Sequence, residues 1–354
     1  MRSRRAIYGL ILLACGGLAA IEGCSLVTGY DGFTGVAPVA TCGARVPANA
    51  AKGSATTDKG PLVGAAQAFR FLDVDGSGPP LGLDLDENCA TRACEPKSGP
   101  ARALGVDNVL GKFIGQLNAQ TDISTAAIRN GTLGLLIQVK GWNGTDSDDD
   151  VAVTLFNVAG LNGSTDGGAA PANDGGDIYV PREDDLLTSP VAKPVYTSIQ
   201  AYVAKKQLVA RFEQVRLRIV SPSFAMPTEQ KVVAVELVLV DAAIVGTLVL
   251  AKGGIQMLDG QVVGRVRDND MLQVISRLGL CASASSYSGL KSDLCGRIDL
   301  TDSKNTDGKR RPCTSGSIAI GLPFAPAQIA TVTAPAPLGP YACPDDPPDS
   351  CGGR

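Results

Sequence analysis

Asp73-Val-Asp75-Gly-Ser77-Gly78, with Asp84 eleven positions after Asp73, puts oxygen donors at the first, third, fifth and twelfth places of a loop and glycine at the sixth. Calcium takes several hard oxygens from a tightly turning chain, and this spacing supplies them. Asp73, Asp75, Ser77 and Asp84 are therefore candidate metal ligands, and calcium is the candidate cofactor. Pro79 and Pro80 stand where such a loop must bend and chelate through its backbone. The competing reading is an Asp/Gly turn between two strands. A second acidic cluster, Asp146, Asp148, Asp149 and Asp150, reads as a solvated loop.

The chain has no histidine. That excludes Ser-His-Asp and Cys-His nucleophile systems, and it removes the imidazoles that catalytic zinc and non-haem iron normally use. Carboxylates, Lys and Tyr are what remain for catalysis. Glu183, Asp184, Asp185 and Glu236 are the candidate pair-formers for glycoside hydrolysis. Against them stands the reading of Glu236 as a strand residue facing solvent or paired with Arg216 or Arg218. Ser288-Gly-Leu-Lys291 spells S-x-x-K, but no matching Ser-Asp-Asn or Lys-Thr-Gly accompanies it, so it reads as a chance match. Trp142, the single tryptophan, is the only indole that could stack on a sugar ring, and such a residue more often packs over the end of a strand pair.

The elements that must carry these groups are mostly strands. Forty-two glycines and 22 prolines among many Val, Thr and Leu favour strands and turns over helices. Strands are expected around Phe69–Val74 and Leu81–Asp86. Leu133, Leu135, Ile137 and Val139 alternate with period two, and Val151, Val153 and Leu155 form a partner across the acidic loop. Further runs are Leu208–Phe212, Val215–Val220, Lys231–Val240 and Ile244–Leu250, the last two meeting near Asp241. Gly260–Val266 and Ser317–Phe324 complete the set. Val106, Val109, Leu110, Phe113, Ile114 and Leu117 share one helical face. A shorter helix is expected over Ser124–Arg129, and another after Asp268 carrying Met271, Leu272, Val274, Ile275 and Leu278. The expected fold is mainly β: a jelly-roll-like β-sandwich with two or three peripheral helices, braced by disulfides.

The N-terminus sets the compartment. Arg2, Arg4 and Arg5 precede an apolar run from Ala6 to Ile21, the build of a bacterial secretory signal. Two cysteines compete for lipid attachment. Leu12-Leu-Ala-Cys15 fits the recognition pattern, but cleavage there leaves a very short apolar region and an odd number of thiols. Cys24 is therefore the expected lipid attachment site. Of the ten cysteines, Cys15 leaves with the signal and Cys24 takes the lipid. Cys42, Cys89, Cys94, Cys281, Cys295, Cys313, Cys343 and Cys351 remain, an even set suited to disulfides in an oxidising compartment. Proximity suggests Cys89–Cys94, Cys281–Cys295, Cys343–Cys351 and Cys42–Cys313. The expected organisation is a signal over 1–23, a Gly/Ala/Pro-rich tether over 24–65, a mainly-β domain over 66–333 and a Pro/Cys-rich tail over 334–354. A net charge of −3 lacks the basic footprint of nucleic-acid binding.

Three blocks together resemble an uncharacterised exported lipoprotein family of myxobacterial type: Cys24-Ser-Leu-Val-Thr-Gly-Tyr-Asp-Gly-Phe-Thr-Gly35; Leu83-Asp-Leu-Asp86 with Cys89, Cys94 and Gly105-Val-Asp-Asn108; and Gly264-Arg265 with Asp270-Met-Leu272, Cys281, Tyr287, Lys291, Cys295 and Asp299. The resemblance implies export and disulfides and supplies no activity. Ser25 after the lipid cysteine favours the outer membrane or cell surface. The expected protein is a lipid-anchored envelope protein, non-enzymatic, that binds or scaffolds an envelope protein or glycan, with the membrane reached through its anchor. The alternative is a lectin-like or carboxylate-dependent glycan-active module.

Overall fold

The computed structural model describes residues 46–48, 58–71, 81–85, 106–118, 123–161, 170–187, 193–223, 232–301, 312–331, 333–334, 343 and 349–352. Residues 42–354 form one compact unit, the body. Its elements run β1 (Leu62–Ala66), α1 (Val109–Asn118), α2 (Ile123–Arg129), β2 (Leu135–Lys140), β3 (Ser147–Asp148), β4 (Ala152–Leu161), β5 (Ile178–Pro181), β6 (Leu186–Leu187), β7 (Lys193–Pro194), β8 (Tyr196–Thr197) and β9 (Gln200–Ala204). They continue with β10 (Gln207–Pro222), β11 (Val232–Thr247), β12 (Val249–Ala251), β13 (Gly254–Gln256), β14 (Gln261–Arg267), α3 (Asp268–Arg277), α4 (Tyr287–Gly296), β15 (Ser315–Gly321), β16 (Phe324–Pro326) and β17 (Gln328–Ile329). The body is mainly β, and α4 brings the helices of the described residues to four, one more than expected.

Two sheets carry the core. The first has the order β16-β1-β2-β4-β5-β17, with β8 also on β4; the second runs β15-β14-β11-β10-β9-β3. Leu135, Ile137 and Val139 of β2 and Val153 and Leu155 of β4 share one apolar cluster with Leu208, Ala210 and Phe212 of β10 and Ile318 and Ile320 of β15. The other face of the first sheet is also dry, where Leu136 packs with Val63, Ala65 and Phe156. β2 is thus covered on both faces, which is why its sequence is a near-continuous apolar run.

All of β1 but Ala66 lies inside the segment expected to be tether. Leu62-Val-Gly-Ala-Ala66 pairs with β2 on one side and β16 on the other, so the body begins before residue 66. Two small residues and a glycine give that run little strand propensity of its own. It is recruited where Gly64 lets the backbone pass closely between Ile137, Phe324 and Ile255, each within 3.3 Å of where a Cβ would stand.

β10 and β11 form one ribbon of sixteen residues each, about 50 Å long. Their register is continuous from Gln207↔Thr247 to Pro222↔Val232. The core-facing positions nevertheless switch from Leu208, Ala210 and Phe212 to Val215, Leu217 and Ile219, and on the partner from Ala242 and Ile244 to Val235, Leu237 and Leu239. Asp241, at φ 48°, sits at the switch, where the β11–β14 register also shifts. An unbroken alternation would turn half of these side chains to solvent. The irregularity resets it, so one apolar face serves the core along the whole ribbon.

The helices cover the far half of that face. α2 packs on β10, α3 on β11 and β14, and α1 on β15. Leu110, Phe113 and Ile114 are the buried positions of α1, and Met271, Leu272, Val274 and Ile275 those of α3, as their periodicity requires. α1 comes so close to β15 that a Cβ on Gly316 would lie 2.5 Å from Leu110 Cδ1. Among the described residues, no helix is long and apolar enough to cross a membrane.

Candidate functional site

Three of the carboxylates singled out from the sequence, Asp184, Asp185 and Glu236, lie within electrostatic reach of Tyr196, whereas Glu183 is exposed. A short 3-10 turn, Glu183–Asp185, delivers Asp185 to β4. There both Asp185 oxygens accept from Asn157, one from its backbone N–H and one from its side-chain amide at 3.2 Å. The Asn157 amide also donates to the Arg216 carbonyl at 3.0 Å and accepts from the Arg218 N–H at 3.2 Å. Those groups lie on the edge of β10 beyond the reach of β9, which ends its pairing at Arg211. Asn157 therefore acts as a one-residue strand partner and ties the first sheet to the second.

Burial pushes Asp185 up to about 6, against the hydrogen bonds from Asn157 that favour its charged form. Tyr196 on β8 is raised too, first by burial and then by the charges of Asp185 and Glu236, with Arg216 opposing them. Asp184 is held by Arg182, whose Nε and guanidinium NH2 donate to its two oxygens at 3.1 and 3.2 Å. Glu236 is half-buried and lies opposite Arg218 in the ribbon. The cluster holds a carboxyl group able to exchange a proton near pH 6. Its oxygens are spent on Asn157, however, so its geometry is that of an internal junction.

A second polar cluster lies on the outer face of the second sheet, and sequence reasoning missed its centre. Arg265 is 1% exposed. Its two terminal nitrogens donate to the Thr301 and Leu85 carbonyls at 2.9 and 2.7 Å, while Nε stands 3.5 Å from Asp241. Asp299 accepts from the backbone N–H and hydroxyl of Ser317 at 2.8 and 2.7 Å. Asn108 accepts from the Ala319 N–H and donates to the Leu81 carbonyl. Asp107 accepts from the Leu85 N–H at 2.7 Å. Leu81, Leu83 and Leu85 pack on Ala243, Val263 and Ala319 between these bonds. The segments around Leu83–Leu85 and Asp107–Asn108 thus meet those around Arg265 and Asp299 in space, with Arg265 as the pin. The one sequence signal was an arginine inside the otherwise apolar run Val262-Val-Gly-Arg-Val266.

Of the candidate calcium ligands, Asp73, Asp75 and Ser77 lie outside the described residues. Asp84 is buried under the Leu83↔Asp107 bridge. Among the described residues, no group of three or more Cys, Asp and Glu is placed to hold a metal ion. In the acidic loop, Asp148 is buried and accepts from the N–H groups of Asn143 and Asp150, so it shapes the turn; Asp146, Asp149 and Asp150 are exposed.

Trp142 is 3% exposed and donates from its ring N–H to the Thr145 carbonyl at 3.0 Å, so its face is not open for stacking. In the S-x-x-K match, Ser288 is exposed and Lys291 points away to Asp349 at 2.5 Å. Burial alone would raise Asp349, but hydrogen bonds from Lys291 and Tyr287 outweigh it and hold the carboxyl below its usual range.

That contact belongs to a clasp on the C-terminal tail. Among the described residues the disulfides are Cys281–Cys343 and Cys295–Cys351, which corrects the expected local pairs Cys281–Cys295 and Cys343–Cys351. Cys281 lies in the turns that precede α4 and Cys295 in the helix's last turn, and each finds its partner in the tail at a Cα separation of 5.4 Å, within the range a bridge needs. Asp268, the first residue of α3, accepts from the Cys351 N–H at 2.7 Å. Cys313 is buried beside Ile298 and Cys351. Its expected partner Cys42, the pair Cys89 and Cys94, and the lipid candidate Cys24 lie outside the described residues.

No family model, curated protein or solved structure matches the chain.

Proposed function

We propose that this is an exported, lipid-anchored envelope protein whose mainly-β body is a non-enzymatic binding or scaffold module. The observation that carries the reading is the pair of disulfides, Cys281–Cys343 and Cys295–Cys351, that sews the tail to α4 and to the turns before it. Bridges of this kind persist outside the reducing cytosol. They agree with the signal-like Arg2–Ile21 segment and with Cys24 at its end. The outer membrane or cell surface is the location this implies, and an envelope protein or glycan is the partner class.

The glycan-active alternative rests on Asp185, poised near pH 6. It ranks second because both Asp185 oxygens are occupied by Asn157 and because Trp142 is buried.

Metabolic labelling with a tagged fatty acid tests the anchor. The full chain, expressed with its own N-terminus in a bacterial host, incorporates label, and Cys24→Ser abolishes it. Label retained in Cys24→Ser overturns the assignment.

A further inference from the structure

Val249 and Leu250 are neighbours in the extended strand β12, so their side chains leave on opposite sides. Both are about half exposed, at 47% and 48%. β12 is therefore uncovered on both faces at these residues. Leu258, 66% exposed, follows β13 in the next turn. Asp259 fixes that turn beside the start of β12, since it accepts from the Thr247 N–H and hydroxyl, both at 2.6 Å.

The same end of the body carries lysines and the point where the N-terminal segment joins. The Leu248 N–H donates to the Lys206 carbonyl, which brings the Lys205-Lys206 turn between β9 and β10 alongside β12. Lys205, Lys206 and Lys252 are all exposed. Val46 packs against Tyr202, Ala204 and Val209, and the Tyr202 hydroxyl donates to the Pro47 carbonyl at 2.6 Å. The chain arriving from Cys24 thus reaches the body next to that turn.

We propose that this end is a second membrane contact, with Val249, Leu250 and Leu258 entering the boundary between headgroups and acyl chains while the three lysines reach the headgroups. The inference rests on the lipid-anchor reading, which places a bilayer within reach of Val46. Exposed apolar residues beside long basic side chains suit that boundary, because lysine stems lie along apolar surface while their ammonium groups stay wet. A strand-adding protein is the poorer fit, since three residues of β12 offer few ladder bonds. Lys206 is paired with Asp146 at 3.7 Å, so apolar burial rather than net charge drives the contact, and zwitterionic lipid suffices.

The full-length protein is reconstituted into phosphatidylcholine vesicles with and without brominated acyl chains. Leu258→Trp is compared with Ile199→Trp, which sits at the opposite end of β9 and is also exposed. Brominated chains are expected to remove most of the emission added by Leu258→Trp, with Leu250→Trp behaving alike, and to leave that of Ile199→Trp intact. Vesicle-bound protein whose added emission at 258 and 250 is unquenched overturns the contact and leaves the anchor standing. Protein that does not float with the vesicles overturns the anchor and the contact together. Emission changes that follow protein concentration and ignore bromination mark a self-association face and overturn the membrane contact.

Discussion

Arg265 on the outer face of the second sheet and Asp185 at the join between the sheets are both almost fully buried, yet the fold handles them differently. Arg265 cannot shed its charge, so the chain surrounds it with the Leu85 and Thr301 carbonyls and the nearby Asp241. Asp185 can be neutralised, and the fold leaves it near the point where it is. A buried permanent charge must be satisfied by geometry, whereas a buried titratable one can share the cost with a proton. Arg265 consequently works as a fixed pin, and Asp185 makes its junction sensitive to pH.

Removing the pin has the largest expected effect. Arg265→Met keeps apolar bulk but orphans the two carbonyls, and should cost about 3–5 kcal/mol in urea unfolding. A loss below about 1 kcal/mol would show that the segments at 81–85 and 298–301 hold without it. At the other junction, Asn157→Ala strips partners from Arg216, Arg218 and Asp185 together. A loss of about 2–3 kcal/mol is expected by the same measurement; an unchanged midpoint would reduce Asn157 to a bystander.

The finest test of the contrast is pH. The carboxyl of Asp185 is raised to about 6 in the folded chain, against about 3.9 for an unfolded aspartate. Between those values the folded state binds more protons than the unfolded one, so stability falls as pH rises and then levels off. Its share is on the order of 3 kcal/mol, present below about pH 4 and gone above about pH 6. Asp185→Asn should flatten that slope in urea midpoints taken across the window, and a slope equal to wild type would move the titration elsewhere. No matching change is expected in Arg265→Met, which keeps the wild-type pH dependence from a lower baseline.

The ribbon shows how far the residue pattern reaches. Leu208–Phe212 and Val215–Val220 read as two strands because their alternation breaks at Glu213-Gln214, and a second break near Asp241 separates the runs of the partner. Both breaks are real, but they face each other across continuous register, so two apparent ends are one shared reset. A window of neighbours detects a lost period; only the opposing strand tells an end from a bulge. β1 failed in the other direction, since its small residues carry no period until β2 and β16 flank them.

By itself the amino-acid order determined the β character and the apolar faces of α1 and α3, because each depends on residues near one another in the chain. Tertiary structure alone decided that Cys281 and Cys295 find their partners in the tail, that Arg265 is a pin and that Asp185 meets Asn157. Those outcomes join groups separated by 28 to 180 positions. Which distant group fills a partner's place is set by packing of the whole body, and no local spacing encodes it.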